Sequence, residues 1–295
     1  MIYQPIIIAY VFDFDKTLSP VYMQKVIFDH FEVDEKQFWI EKEAYKRECI
    51  SRGINLDDEH AYLNLMLERV ENGQFPGLSN QLMRDLGANL PLYDGLPEFF
   101  PWMKEQYHSE FSAEVKVEFY VDTSGIKPLV EGSPLGKSLD GIFACEFDEK
   151  DGVISRIAHT VDFSRKRSFL HEINKETNFN PLIGVNDKVP RQYRRVPFEN
   201  LCYTGDGAND IVCFNAMTGS GGHAHTIYQR GNKQSISSAL QLVKDKRVHT
   251  IGPDDYLPNS HTSDILLHWG LLRAEQVLKQ RKSELEDALS KGPGY

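Results

Sequence analysis

Asp13 and Asp15 stand two residues apart in Asp13-Phe14-Asp15-Lys16-Thr17, directly after the apolar run 6–12. Two carboxylates at the end of a buried strand can face one pocket, where they repel each other unless a cation stands between them. Taken alone, such a turn could equally cap the next helix. A second acidic group follows the apolar residues Leu201-Cys202-Tyr203, in Gly205-Asp206-Gly207-Ala208-Asn209-Asp210. Asp206 and Asp210 lie four residues apart across the start of a helix, so both can reach a metal opposite Asp13. Oxygen ligands of this kind suit a hard cation such as Mg²⁺.

Two further segments belong with these. Residues 115–121 form a strand-like run that ends in Asp122-Thr123-Ser124-Gly125, where a hydroxyl and a backbone N–H at a helix start can hold a phosphate oxygen. Lys166 opens a helical pattern at Arg165-Lys166-Arg167-Ser168. By itself it reads as a solvated surface residue, and it gains meaning only from its order in the chain.

The elements that must position these groups alternate. Strand-like apolar runs at 6–12, 115–121, 200–203, 225–228 and, more weakly, 248–251 are separated by segments of helical period at 128–135, 166–175, 210–217 and 234–244. That rhythm predicts an α/β fold, a doubly wound parallel sheet with ligands at the carboxyl ends of its strands. Residues 20–91 break the rhythm with helical patterns at 21–31, 36–49 and 57–71, which predicts an inserted helical subdomain. The expected division is therefore a core of 1–19 with 92–295, and an insertion of 20–91. Residues 140–157 read as a hairpin turning at Asp151-Gly152. The charged segment 263–288 reads as a final helix, and 291–295 as a frayed tail.

The order Asp-x-Asp-x-Thr, Ser-Gly after a strand, Lys, then Gly-Asp-Gly-x-Asn-Asp resembles the four motifs of the haloacid-dehalogenase-like (HAD) hydrolase superfamily, across roughly residues 6 to 217. With helices inserted between the first two motifs, it is most similar to the phosphoserine-phosphatase-like branch with a C1-type cap. The resemblance implies a Mg²⁺-dependent phosphatase acting on a small phosphorylated metabolite through a covalent aspartyl-phosphate. It implies Asp13 as nucleophile, Asp15 as acid and base, Thr17 holding Asp15, and Lys166 offsetting charge. Ser124 and the N–H of Gly125 would bind phosphate, and Asn209 would contact phosphate or Lys166. The metal would be held by Asp13, Asp206 and the backbone carbonyl of Asp15, with Asp210 as a further ligand or as support for the ligands. At the place where phosphoserine phosphatases carry an acidic residue for the substrate's amino group stands Tyr22. No recognition arginine is evident in the insertion, so phosphoserine is not the expected substrate. Tyr22, Phe38, Trp39, Tyr45 and Tyr62 could line an apolar substrate pocket or pack between helices. A phosphotransferase of the same fold and a catalytically silent binding protein are the alternatives.

Composition narrows the rest. The chain of 295 residues is 41% apolar with a net charge of −10, enough for a large core and unsuited to a nucleic-acid partner. The N-terminal apolar run is short and lacks preceding basic residues, and no stretch approaches the ~20 apolar residues that cross a bilayer. Cys49, Cys145, Cys202 and Cys213 match no metal-ligand spacing and read as reduced thiols, so a cytoplasmic protein without a membrane partner is expected. The basic segment 188–195 reads as a solvated loop or an anion attractor. His223 and His225 lie in 219–225, a glycine-rich stretch that suits a tight turn and offers no third metal ligand nearby.

Overall fold

The computed structural model describes residues 4–180 and 182–290, so the readings for the extreme N-terminus and for 291–295 lie outside the described residues. Strand β1 (Ile6–Phe12) is buried at all seven positions, which its lack of any charged residue permits. Its side chains divide by the strand's period of two. Ile6, Ile8, Tyr10 and Phe12 enter one hydrophobic cluster, while Ile7, Ala9 and Val11 enter another on the opposite face.

Around β1 assemble β2 (Val115–Ile126), β3 (Gly141–Lys150), β4 (Val153–His159), β5 (Leu201–Gly205), β6 (His223–Tyr228) and β7 (Thr250–Pro253). They form one seven-stranded sheet in the order β4-β3-β2-β1-β5-β6-β7. Every neighbouring pair is parallel except β3 with β4. The expected parallel α/β sheet is thus present, and the expected hairpin extends it as an antiparallel edge. Reversal of strand order on either side of β1 makes the ends of β1, β2 and β5 the switch point where such sheets bind ligands.

Residues 20–91 contain α1 (Lys25–His30), α2 (Glu35–Ser51), α3 (Asp58–Glu71) and α4 (Asn80–Gly87) and no strand, as the helical patterns there require. Phe28, Phe38 and Phe75 pack together at their centre, with Phe28 and Phe38 ring centroids 4.6 Å apart. This aromatic core is continuous with the cluster beneath β1. After α5 (Phe99–Phe111) and β2, helix α6 (Lys127–Gly132) meets α4 backbone to backbone. A side chain at Gly87 or Gly132 would collide with carbonyl oxygens of the facing helix.

Helices α7 (Phe163–Lys175) and α8 (Ile211–Ser220) cover one face of the sheet, with α9 (Lys233–Lys244) against β6 and β7. The other face is covered by α5 and α10 (His261–Ser290). There the Tyr10 hydroxyl donates to the Leu266 carbonyl at 2.8 Å and lies 2.9 Å from the Tyr107 hydroxyl, so two buried phenols are satisfied. No helix among the described residues is long and apolar enough to cross a membrane.

Candidate active site

The first motif leaves β1 at its carboxyl end. Asp13 still donates its backbone N–H to the Thr204 carbonyl at 2.9 Å, so the ends of β1 and β5 are tied together. The chain then turns sharply: the Lys16 N–H bonds to the Ser19 carbonyl, the Leu18 N–H bonds to the Phe14 carbonyl, and Lys16 adopts a left-handed φ of 64°. Tyr256 pins this loop from below by donating to the Thr17 carbonyl at 2.8 Å. The result presents Asp13, only 7% exposed, and Asp15 at the switch point.

Opposite them, the strand β5 delivers Asp206 and Asp210. Carboxylate oxygens of Asp13, Asp206 and Asp210 all lie within 4.8 Å of one another. Asp210 is fixed on several sides, accepting from the Tyr203 hydroxyl at 2.7 Å, the Gly207 N–H at 3.3 Å and Lys166. Lys166 is 2% exposed and donates to Asp13 Oδ1 at 2.7 Å and to Asp210 Oδ1 at 3.0 Å. A lysine that its sequence context would place at the surface is therefore buried between two carboxylates.

Crowding perturbs these acids. Burial, then the Asp210 charge, raises Asp13 to about 6 against the opposing pull of Lys166. Burial and Asp13 raise Asp15 to about 8, although its Oδ1 accepts the Met23 N–H at 2.9 Å. Burial, Asp210 and Asp13 raise Asp206 to about 8. Carboxyls forced this close favour neutral forms, and a divalent cation is the species that relieves such crowding. The donor set is all oxygen, and it fits magnesium.

Beside Asp13, β2 runs on past Val121, where the sequence reading ended it, to Ile126, with a register irregularity between Asp122 and Ile126. The strand therefore carries Asp122-Thr123-Ser124-Gly125 within it, and this changes the assignments. The Ser124 hydroxyl lies against the Glu59 carboxylate of α3, and its backbone carbonyl accepts from the Tyr62 hydroxyl at 2.7 Å. The Gly125 N–H, expected to bind phosphate, instead donates to Thr123 Oγ1 at 3.1 Å. Thr123 is a buried hydroxyl that sequence reasoning passed over; with its oxygen accepting from Gly125, its own proton remains to donate.

Asp122 was also missed. It shares the sheet face of Asp13, it is fully buried, and neither of its oxygens meets a hydrogen-bond partner in the protein. Burial, with Asp13 and Asp210 nearby, holds it well above the ordinary carboxylate range despite Lys166. An aspartate directly after the apolar residues Phe119-Tyr120-Val121 was the available signal.

Other expectations shift. Thr17 Oγ1 faces Asp13 Oδ2 at 3.5 Å and makes no hydrogen bond to Asp15. Asn209 is exposed, and Lys166 bonds to Asp13 and Asp210 rather than to it. Tyr22 stands 48% exposed at the mouth, with the Lys16 ammonium 5.0 Å from its ring centre. Phe38 and Tyr62 are buried in helix packing, while Trp39 is half-buried beside Tyr22.

β6 begins at His223, two residues before the strand-like run 225–228, so His223 lies in the strand rather than in a tight turn, and both His223 and His225 lie 2.8 Å from Thr250 Oγ1. Burial lowers them to about 4 and about 3, and they join no metal-ligating cluster among the described residues. In the basic segment Arg195 is spent on Glu118 at 2.6 Å, and Arg191 on Glu199.

No protein-family model matches the chain. An uncharacterized protein of Borreliella burgdorferi is 29% identical over 269 residues, covering 85% of this chain and 92% of that one. Among solved structures, a probable phosphoserine phosphatase from Vibrio cholerae matches with a TM-score of 0.52 at 17% identity, over 92% of this chain and 68% of that one. A HAD-family hydrolase from Salmonella enterica serovar Typhi matches with a TM-score of 0.50 at 16% identity, over 84% and 67%. The chain thus has the HAD-like fold, with the four motif segments gathered at the ends of β1, β2 and β5.

Proposed function

We propose that the protein is a magnesium-dependent phosphomonoesterase of the HAD type, with α1–α4 as a cap over the site and a small phosphorylated metabolite as substrate. The observation that carries this reading is the placement of Lys166 between Asp13 and Asp210, with Asp206 completing a three-carboxylate cluster at the sheet's switch point. A surface turn capping a helix has no use for a buried ammonium.

Asp13, Asp206, Asp210 and the backbone carbonyl of Asp15 would hold the cation, which supplies positive charge against the phosphoryl oxygens. Asp13 attacks phosphorus, forming the acyl-phosphate bond as the bond to the leaving oxygen breaks. Asp15, raised to about 8, is protonated at neutral pH and gives its proton to that oxygen. The carboxylate left on Asp15 then takes a proton from water, which attacks phosphorus and releases Asp13. Lys166 keeps Asp13 ionised and oriented, and the Thr123 hydroxyl donates to a phosphoryl oxygen.

The covalent step is tested by acid-quenching the protein during turnover and mapping peptides by mass spectrometry. A phosphoryl adduct on Asp13, absent in Asp13→Asn, is expected; a turnover-competent adduct on any other residue would replace this assignment.

A further inference from the structure

The basic segment 188–195 has no part in the chemistry above, and it borders a cavity of its own. Lys175 of α7, Arg191 and Arg194 line a space of about 340 Å³ together with His171, Phe198 and Glu199. Phe198 and Glu199 stand just before β5, and Ser220, also on the wall, closes α8 just before β6. These strands run parallel, so the cavity lies at their amino ends, opposite the edge that carries Asp13 and Asp206. Lys166 and Lys175 stand near opposite ends of α7, roughly 13 Å apart along its axis.

The cations on this wall are not neutralised. Arg194 donates its Nε to the Val189 carbonyl at 3.2 Å, and Arg191 gives one nitrogen to Glu199. The remaining guanidinium N–H groups of both meet no protein acceptor among the described residues. Lys175 donates to the Val185 and Asp187 carbonyls at 2.6 and 2.8 Å, which anchors that loop and leaves its charge without a carboxylate. Glu199 is the single acid on the wall, so three cationic side chains face one anion in a chain of net charge −10. His171 feels the same field: burial, then Arg167, Lys175 and Arg194, lowers its imidazole.

We infer that this cavity binds a phosphoryl dianion, as inorganic phosphate or as the phosphate of a small ester, through the free guanidinium edges of Arg191 and Arg194 and the ammonium of Lys175. Guanidinium forks match phosphate oxygens in pairs, and lysine adds a point charge. A phosphoryl group offers three terminal oxygens to three cations, where a carboxylate offers two. The volume is at the small end of ligand pockets, which admits a phosphate with a few carbons and not a nucleotide.

The test is titration calorimetry in EDTA with inorganic phosphate, glycerol phosphate and succinate, on the wild-type chain and on Arg191→Gln/Arg194→Gln. At least one phosphoryl probe is expected to bind with a Kd of about 1 mM or tighter, at least about tenfold tighter than succinate, and to weaken at least about tenfold in the double variant. Whichever phosphoryl probe binds more tightly identifies the source of the group. Arg194→Gln alone leaves the Arg191–Glu199 pair intact and is expected to weaken binding by about threefold or more, so the result does not hang on the folding of the double variant. No binding of either phosphoryl probe at about 10 mM, affinity unchanged in both variants, or succinate binding equally well overturns the inference. Neither outcome bears on Asp13, since the assay requires no turnover.

Discussion

Lys166 and Asp13 are separated by 153 residues of chain and meet at 2.7 Å, in a contact from which water is nearly excluded. The same ammonium reaches Asp210 at 3.0 Å, so a single positive charge bridges the acids that follow β1 and β5. Both carboxylates compensate the cost of burying that lysine, and removing the lysine leaves two buried carboxylates without their counter-charge.

Lys166→Met is therefore expected to lower turnover by about 10²–10³-fold, the usual cost of losing one electrostatic contact in a closed site. Lys166→Arg should not restore it, because a planar guanidinium cannot replace a point charge shared by two acids. Steady-state rates with a generic aryl phosphate measure this, and near-normal turnover in Lys166→Met would deny the lysine its role.

The acids set a pH window. In the proposed mechanism Asp13 attacks as the carboxylate, and Asp15 carries the proton that the leaving oxygen receives. With Asp13 at about 6 and Asp15 at about 8, kcat/KM is expected to rise with pH through about 6 or below, since a bound cation favours ionised Asp13, and to fall through about 8. The basic limb should vanish for aryl phosphates, whose leaving group needs no proton. A basic limb unchanged by leaving group would speak against Asp15 as the acid.

At the end of β2, the two neighbouring hydroxyls separate cleanly. Thr123→Val is expected to reduce turnover by about 10²-fold and to leave the Gly125 N–H unpaired, costing ~1–3 kcal/mol in urea unfolding, while Thr123→Ser restores both. Ser124→Ala should be milder, since that hydroxyl faces Glu59. Greater damage from Ser124→Ala than from Thr123→Val would return the phosphate-binding role to Ser124.

Away from the site, Glu118 is almost wholly buried and is bridged by Arg195, Lys116 and the Tyr120 hydroxyl. Burial alone would raise it, but these partners hold it at about 2. A depressed carboxyl contributes stability that is present above its unfolded value and is lost as pH falls towards 2. Glu118→Gln is thus expected to cost about 3 kcal/mol at neutral pH and to flatten the loss of stability between about pH 5 and 2. Parallel stability curves for mutant and wild type would contradict this.

Much of the arrangement was legible in the sequence because strands buried on both faces must be continuously apolar, and the acids at their ends then stand out. Asp13, Asp206 and Asp210 converge for that reason. Lys166 became readable only through motif order, since helical spacing carries no sign that a lysine's tip will cross to another strand's carboxylate. Thr123 and Asp122 were lost because β2 was ended at Val121, where its pairing with β1 also ends, whereas pairing with β3 carries it five residues further. His225 was read at the start of a strand, but the position of His223 was hidden by the preceding glycines, which end α8 at Gly221 with a φ of 81° and let β6 begin two residues later. Local composition announced a turn, and tertiary pairing with Thr250 made a strand.

The most direct measurement of the central claim is phosphate release from a generic aryl phosphate by wild-type protein and Asp13→Asn, each with Mg²⁺ and with EDTA. Release by wild type only in Mg²⁺, abolished in Asp13→Asn, is the expected result. Release that survives in Asp13→Asn, or that is indifferent to EDTA, would contradict a mechanism built on Asp13 and its cation.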